Sequence, residues 1–219
     1  MRILLMGASG HARVIIDMIE RTAEHQIVGL IAESSPNELC VCGYPIVGDL
    51  PDLRKLVCEL RVERVIAAIG DNWSRSEVVR RANDSVTDIQ FVTVAHPSTQ
   101  IARTVDIGAG TALMAGAIVN SGARIGKHCV VNTKASVDHD CVVGDFVSIA
   151  PGATLGGNVR VGECSAVSLG ANVIHGVTVG AHAVIGAGSV VLKDVPDCAI
   201  AYGVPARVVR KRSVGERYL

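Results

Sequence analysis

The second half of the chain carries an aliphatic residue at every sixth position. Ile, Leu or Val stands at each of the positions 101, 107, 113, 119, 125, 131, 137, 143, 149, 155, 161, 167, 173, 179, 185 and 191. A small or branched residue follows four positions later, as at Thr111, Ala117 and Cys129. A period of six is typical of a parallel β-helix, in which each hexad forms one side of a triangular prism and three hexads close a coil. The many glycines and the strict spacing exclude an α-helix, whose pattern repeats after about 3.6 residues.

The repeat also predicts the dimensions of this region. Sixteen hexads at three per coil make a little over five coils, which stack at about 4.8 Å. The interior of such a prism is too narrow for rings, and the whole chain has only two Phe, three Tyr and one Trp. No insertion interrupts the count, so we expect no long loop at any corner.

Residues 3–95 follow a different pattern, in which short apolar strands alternate with helical stretches. This order is typical of βαβ units, which build a small, mostly parallel sheet covered by helices. We predict strands at 3–6, 27–31, 65–69 and 89–95, and helices at 12–23, from 51 onward with Asp49 as its cap, and at 73–82. The predicted fold class is therefore an α/β Rossmann-like domain at 1–96, followed at 97–219 by an all-β parallel β-helix with a C-terminal cap.

Charge and composition exclude several classes of partner. Twenty-one basic and twenty-one acidic side chains cancel, which argues against nucleic acid or an anionic membrane, since both require a clustered positive field. No apolar run reaches the roughly 20 residues of a membrane span, and Gly7 comes too early for a signal peptide. Seven cysteines without framework spacing predict free thiols in a cytoplasmic protein.

A glycine-rich turn, Gly7-Ala8-Ser9-Gly10-His11, follows the first strand and opens the first helix. Backbone N–H groups in such a turn, aided by the helix dipole, can hold a diphosphate. The dinucleotide fingerprint is not met because Ser9 and Ala12 replace its second and third glycines, so NAD is not expected. A purely structural turn is the alternative interpretation.

One histidine of the repeat region has the surroundings of a general base. His139 lies two positions after the inward Val137, so we expect its side chain to point out of the prism. Histidine is the usual base because its pKa lies near working pH. Asp140 could accept the Nδ1 proton and fix the tautomer. A solvated histidine beside a solvated aspartate is the alternative.

Residues eighteen apart lie above one another in stacked coils, which places Gly157 over His139 and His175 over Gly157. A glycine there leaves room for an acetyl group and offers an N–H group to an oxyanion; a tight corner explains it equally well. We expect His175, two coils from His139, to be too far away to touch it. His128 and His182 fall on another side of the prism, three coils apart, so no metal site is expected.

The glycine-rich turn, Ala68-Ile69-Gly70-Asp71-Asn72 and the unbroken hexads that contain Asp138-His139-Asp140-Cys141 resemble one acyltransferase family. It is the sialic acid O-acetyltransferase and sugar-nucleotide N-acetyltransferase family of hexapeptide-repeat proteins, which includes bacillosamine and perosamine N-acetyltransferases. The resemblance covers nearly the whole chain. It implies a left-handed β-helix, although right-handed crossovers are the rule elsewhere, and a homotrimer that holds acetyl-CoA between neighbouring prisms.

The resemblance also implies roles for individual residues. His139 would be the base, followed by Asp140 where the family often has Glu, and Asn132 would lie on the substrate side. The glycine-rich turn would bind the nucleotide of a sugar nucleotide together with Gly70, Asp71 and Asn72. Glu33 would contact a ribose or base, or be a solvated loop acid. His175 would lie in the pantetheine tunnel of coenzyme A, at an interface or at an ordinary surface position. The remaining residues implied for coenzyme A, in a C-terminal cap, are Lys193, Pro205 and Arg207.

The sequence thus predicts an acetyl-CoA-dependent N-acetyltransferase. The acceptor would be the amine of a nucleotide-linked sugar of the UDP-4-amino-4,6-dideoxyhexose type, destined for a bacterial surface glycan, and the transfer would be direct. One alternative is O-acetylation of a sugar such as sialic acid; another is a catalytically silent scaffold. The His139–Asp140 pair favours an enzyme over a scaffold, and the phosphate-binding turn favours a nucleotide-linked acceptor over a free sugar.

Overall fold

The N-terminal part is a parallel sheet covered by helices on both faces. The structure is a computed structural model that describes residues 1–32 and 39–217. Its strands follow the order β3-β4-β2-β1-β5, and β3 alone runs antiparallel, to β4. The elements are β1 (Arg2–Met6), α1 (Gly10–Thr22), β2 (Gln26–Ile31), β3 (Cys40–Val41), β4 (Tyr44–Gly48), α2 (Leu53–Glu59), β5 (Arg64–Ala67) and α3 (Asn72–Ser85).

The alternation of side chains along β1 explains why helices cover both faces of the sheet. Ile3 and Leu5 pack on the side of α1, in one cluster with Ile15. Leu4 and Met6 point the opposite way, into a second cluster that holds residues of α2 and α3. All four of these β1 side chains are buried, as expected for a parallel strand with helices on both sides.

Two predictions for this domain need correction. The stretch 89–95 is not one strand of the sheet, because Phe91 forms only an isolated bridge with Val65, while Val94–Ala95 pairs with Ala112–Leu113 of the β-helix. Asp49 is not the cap of α2. The N-cap residue is Asp52, and Asp49 accepts a hydrogen bond from the Asp52 amide in the turn before the helix, at 3.3 Å.

Each predicted hexad forms a two-residue strand that ends on its aliphatic residue, so the prediction of a β-helix is confirmed. Strands stack in parallel at a spacing of eighteen residues, as Ile118 pairs with Ser136 and Ser136 with Thr154, and the β-helix is left-handed. The strands are Gln100–Ile101, Asp106–Ile107, Ala112–Leu113, Ile118–Val119, Arg124–Ile125, Val130–Val131, Ser136–Val137, Val142–Val143, Ser148–Ile149, Thr154–Leu155, Arg160–Val161, Ala166–Val167, Asn172–Val173, Thr178–Val179, Val184–Ile185 and Val190–Val191.

The core of the prism consists of Val, Ile, Leu, Ala and Cys side chains. Small residues such as Ala117 and Cys129 are almost completely buried where the chain turns a corner. Most corners also use a residue with a left-handed backbone, for example Lys134 with φ +57° or Gly152 with φ +68°. This backbone places the residues before and after it at fixed angles, so the corners hold their outward side chains in defined positions.

A β-hairpin follows the last hexad. Ala199–Gly203 continues one sheet of the prism beside Val184–Ile185 and pairs in antiparallel fashion with Ala206–Lys211. The hairpin therefore extends that sheet beyond the last coil. Among the described residues, no helix has both the length and the apolar character needed to cross a membrane.

Candidate active site

His139 and Asp140 form a hydrogen-bonded pair on one corner of the prism. The Nδ1 atom of His139 lies 2.9 Å from Oδ2 of Asp140, and both side chains are about half exposed, at 49% and 61%. Asp140 has a left-handed backbone with φ +57°, which turns its side chain alongside the imidazole of its neighbour. With Nδ1 donating to the carboxylate, Nε2 is the ring atom that can accept a proton.

Gly157 lies directly against this imidazole. A Cβ atom built on Gly157 would be 2.4 Å from Nε2 of His139, so the ring occupies the space that any other side chain would fill. The main chain between the coils has the expected register, since Asn158 donates to the carbonyl oxygen of His139 at 2.9 Å. The predicted placement of Gly157 above His139 is confirmed.

The expectation that His175 cannot reach His139 is wrong. The centroids of the two rings are 6.2 Å apart, with an angle of 48° between the planes. The Cα positions are two coils apart, but the His139 side chain rises across Gly157, where no Cβ blocks it. The corner therefore presents two imidazoles, both exposed.

A second carboxylate fixes the main chain at the base. Asp138 Oδ1 accepts hydrogen bonds from the His139 amide at 2.8 Å and from Asn120 Nδ2, one coil below, at 2.9 Å. The hydrogen bond to Asp140 raises the pKa of His139 above its usual value, and the negative charges of Asp138 and Asp140 act in the same direction. His139 is therefore a stronger base than a free imidazole.

A cavity of about 240 Å³ lies between the N-terminal domain and the prism. His11 and Gly70 line it from the sheet domain, and Asn132, Ser148 and Leu169 are among the lining residues from the β-helix. The structure thus brings together three predicted substrate residues that are far apart in sequence. The prism contributes mostly apolar surface, so the few polar side chains, among them those of His11, Asn132 and Ser148, are the groups that can orient a ligand.

His11 is the polar residue of this cavity with an unused buried atom. Its Nε2 is buried and has no hydrogen-bond partner within the described part of the chain. Burial, and then the positive charge of Arg75, lower the pKa of His11 to about 4. The imidazole is neutral at physiological pH, and an unpaired buried nitrogen of this kind is a candidate partner for a ligand atom.

The other residues of the glycine-rich turn differ in exposure: Ser9 and Gly10 are exposed, whereas Gly7 is partly buried. Ser9 and Gly10 lie at the start of α1, where helix N–H groups lack partners in the helix. Gly7 has φ +125°, and a Cβ there would lie 2.7 Å from the Ala68 carbonyl oxygen. Its amide donates to Ile31 O at 2.9 Å. The fold therefore requires glycine at this position whether or not a ligand binds there. Gly7 also borders a small apolar hollow at the ends of β1 and β2.

Asp71 and Asn72 are occupied by structural contacts. Asp71 caps α3 by accepting from the Ser74 amide at 2.8 Å, although its Oδ2 atom is buried and has no partner among the described residues. Asn72 is buried, and its Nδ2 donates to the Cys164 carbonyl of the prism at 2.7 Å. Asn72 thus joins the two domains. Glu33, which was predicted to contact a ribose or base, lies outside the described residues.

Sequence reasoning missed the residues that hold α3 against the prism. Arg75 is buried and donates to the carbonyl oxygens of His128 and Phe146. The ring of His128 lies 4.5 Å from that of Phe91 and 5.0 Å from that of Phe146. Burial, followed by the charge of Arg75, lowers the pKa of His128 to about 4. The signal available in the sequence was an arginine on the same helix face as Val78 and Val79, which are buried.

The base and the cavity lie on different corners of one chain. Asn132 follows the strand Val130–Val131, whereas His139 follows the next strand, Ser136–Val137. At about 3.3 Å per residue, one side of the prism separates them by roughly 15–20 Å. Within one chain, the base therefore does not belong to the wall of this cavity.

The residues predicted for coenzyme A are on the surface. Lys193, Pro205 and Arg207 are exposed at the end of the prism that carries the hairpin, and Arg207 Nη1 donates to the neighbouring carbonyl oxygen of Ala206 at 3.0 Å. Exposed cations at this end suit a polyphosphate. No group of three His, Cys, Asp or Glu side chains suited to a metal occurs among residues 1–32 and 39–217.

Comparison with known proteins gives a consistent picture. Residues 2–82 match the PglD N-terminal domain. The crystal structure of PerB from Caulobacter crescentus, in complex with CoA and GDP-perosamine, is 37% identical with a TM-score of 0.89, and the match covers 96% of this chain and 98% of that one. The acetyltransferase domain of PglB from Neisseria gonorrhoeae, in complex with acetyl coenzyme A, is 31% identical over 95% of this chain and 98% of that one, with a TM-score of 0.87.

A curated relative matches less than half of the chain. Serine acetyltransferase from Bacillus licheniformis is 35% identical over 101 residues, which is 42% of this chain and 47% of that protein. The chain therefore spans less than half of the length of this relative, whereas it spans nearly all of the solved structures above.

Proposed function

This chain belongs to the sugar N-acetyltransferase family of hexapeptide-repeat acyltransferases, and on that premise we propose that it transfers an acetyl group from acetyl-CoA to the amine of a nucleotide-linked amino sugar. The observation that carries the proposal is the corner formed by His139, Asp140 and Gly157. It combines a base of fixed tautomer, an acid that orients it, and a backbone position that only glycine can occupy. PerB, similar over almost its whole length, is described in complex with CoA and GDP-perosamine.

The proposed reaction uses the corner as follows. The sugar amine attacks the thioester carbon, and Nε2 of His139 accepts the proton that the amine loses as the C–N bond forms. Negative charge then develops on the thioester oxygen, to which the Gly157 N–H can donate. When the C–S bond breaks, the thiolate of coenzyme A leaves and accepts from His139 the proton that the amine had lost. Asp140 stabilises the imidazolium in between and is not itself protonated.

The cavity between the domains is the proposed site of the sugar nucleotide. Neutral His11 offers Nε2 to the ligand, Asn132 and Ser148 offer polar atoms from the prism, and the exposed start of α1 at Ser9 and Gly10 suits the diphosphate. The apolar hollow beside Gly7, at the carboxyl ends of β1 and β2, suits a nucleobase, because ligands of parallel α/β sheets bind at this edge.

We further propose that the working enzyme is a homotrimer in the cytoplasm. The cavity and His139 lie on successive corners of one prism, so a threefold arrangement would bring the base of one chain to the cavity of the next. Acetyl-CoA would lie along the groove between two prisms, with its phosphates near Lys193, Pro205 and Arg207 and its pantetheine arm near His175. The division into a sugar-nucleotide domain at 1–96 and an acyltransferase domain at 97–219 is part of the same proposal, with Val94–Ala95 already paired to the prism.

A substrate screen tests the proposed function. UDP-, GDP-, CMP- and dTDP-linked amino sugars are each mixed with acetyl-CoA, and released thiol is measured. We expect turnover with at least one amino sugar nucleotide, and a kcat lower by roughly 10²–10⁴ in His139→Ala. His96→Ala is a matched control, because that imidazole bonds Ser98 before the first hexad. Equal rates in the wild type and His139→Ala would contradict the assignment of the base.

A further inference from the structure

Arg75 is the one side chain that binds both walls of the cavity at once in the described structure. On the sheet side, its Nη1 donates to the carbonyl oxygens of Ile69 and Gly70, each at 2.9 Å. On the prism side, its Nη2 donates to the Ser148 hydroxyl at 3.0 Å. Gly70 and Ser148 line the cavity from opposite domains.

The remaining contacts of Arg75 anchor it in the prism. Nε donates to the His128 carbonyl at 2.8 Å and Nη2 to the Phe146 carbonyl at 3.1 Å, and these two acceptors lie one above the other in adjacent coils. All the N–H groups of the guanidinium are thus directed at fixed acceptors. The planar geometry of the group fixes the angles between these bonds, which a lysine ammonium cannot do.

We propose that Arg75 is a positioning residue that sets the width of the sugar-nucleotide cavity by holding Gly70 and Ser148 at a fixed separation. The inference rests on the proposed function of that cavity. A shift of either wall would move His11 and Asn132 relative to one another, because each belongs to a different domain. A misplacement of about 1 Å at such a site is enough to weaken binding or reaction strongly. Arg75 touches no substrate in this proposal and acts through the walls and through its charge.

The position of Arg75 also affects the electrostatics of the cavity. Its charge, added to burial, keeps His11 neutral, so that Nε2 can accept a hydrogen bond or, in the other tautomer, donate one. A buried cation behind Gly70 additionally makes the cavity more positive, which favours a ligand with a diphosphate.

The test compares KM values for the two substrates in Arg75→Lys. Lysine keeps the positive charge but lacks the planar set of N–H donors of the guanidinium. We therefore expect the KM for the sugar nucleotide to rise about tenfold or more, while the KM for acetyl-CoA stays within about twofold. Arg80→Lys is the matched control on the same helix, since Arg80 is exposed and pairs with Glu77 and Asp84. A purely structural role would lower the melting temperature and the active fraction and leave both KM values unchanged; this result would overturn the proposal.

A double-mutant cycle with Ser148→Ala tests whether Arg75 influences sugar-nucleotide binding through its hydrogen bond to Ser148. We expect Arg75→Lys to raise the KM for the sugar nucleotide less in the Ser148→Ala background than in the wild type, because one of its contacts is already lost. Strict additivity of the two effects would contradict the proposal. If Arg75→Lys does not fold, Ser148→Ala alone must raise this KM, and an unchanged value would overturn it.

Calorimetry with GDP and UDP separates this proposal from the proposed function. If the wild type acetylates no amino sugar nucleotide, the function is wrong, and tighter binding of these diphosphates to the wild type than to Arg75→Lys would still support positioning. Equal binding to the wild type and to Arg75→Lys would contradict positioning, whatever the screen shows.

Discussion

Nδ1 of His139 lies 2.9 Å from Oδ2 of Asp140, in a pair built from adjacent residues of one corner. The left-handed backbone at Asp140 turns its carboxylate alongside the imidazole of the preceding residue. It directs the opposite nitrogen, Nε2, toward Gly157 in the next coil. The orientation of the base is thus fixed by the carboxylate of Asp140 and by the space that glycine leaves at position 157.

Asp140→Asn should change the pH dependence as well as the rate. The rate requires neutral His139, so it falls as the pH drops through the pKa of that group, which the Asp140 bond raises. Without the carboxylate the pKa of His139 decreases, and the acidic limb of kcat/KM should move to lower pH while the plateau rate falls. A pH–rate profile of both proteins checks this, and an acidic limb at the same pH in both would contradict it.

Gly157→Ala should disable the base without affecting the cavity. The new Cβ would lie 2.4 Å from Nε2 of His139, so the ring must leave its position, and kcat should drop about a hundredfold or more. The KM for the sugar nucleotide should change little. Gly188→Asn is a suitable control, because that glycine has φ +66° and open space around its Cβ, and asparagine tolerates such a backbone. Full activity of Gly157→Ala would refute the assigned position of the base.

Mixed oligomers should show whether the site is shared between chains. Gly70→Phe fills the cavity, since its Cβ would meet nothing closer than His11 at 3.9 Å. His139→Ala removes the base. Each variant alone should be nearly inactive, but random trimers of the two should regain about a quarter of the wild-type activity if cavity and base come from neighbouring chains. Activity that stays at the level of the single variants, or a monomeric mass by light scattering, would exclude a shared site.

Two imidazoles with a lowered pKa should make the fold sensitive to acid. His11 and His128 have a pKa of about 4 in the folded chain, against 6.5 for an ordinary histidine. The unfolded chain therefore takes up protons as the pH falls below about 6.5, and the folded chain does not until about pH 4, so the free energy of unfolding decreases over this interval. Each unit of difference corresponds to about 1.4 kcal/mol.

Melting temperatures at about pH 7.5 and about pH 5 measure this effect. The decrease should be clearly smaller in His128→Phe, in which the stacked ring between Phe91 and Phe146 is kept and one proton site is lost. An identical decrease in the variant and the wild type would assign the acid sensitivity to other groups.

The β-helix could be predicted from the sequence because each hexad is a local rule that repeats. The inward Val137 and the column that joins His139 to Gly157 follow from counting alone. The distance to His175 could not be counted, because it depends on how far the His139 side chain rises over a glycine. Arg75 was missed for a different reason: an arginine on a helix is usually solvated, and only the docking of α3 on the prism buries it. The strand predicted at 89–95 was wrong because Val94–Ala95 has its partner in the other domain.

The chemical linkage in the product distinguishes N-acetylation from O-acetylation. The wild type is incubated with acetyl-CoA and the amino sugar nucleotide that gives turnover, and the isolated product is treated with alkaline hydroxylamine, which cleaves oxygen esters and leaves amides intact. We expect the acetyl group to stay on the sugar and no product to form from an analogue with a hydroxyl in place of the amine. Release of the acetyl group by hydroxylamine, or equal turnover of the hydroxyl analogue, would contradict N-acetylation and favour O-acetylation.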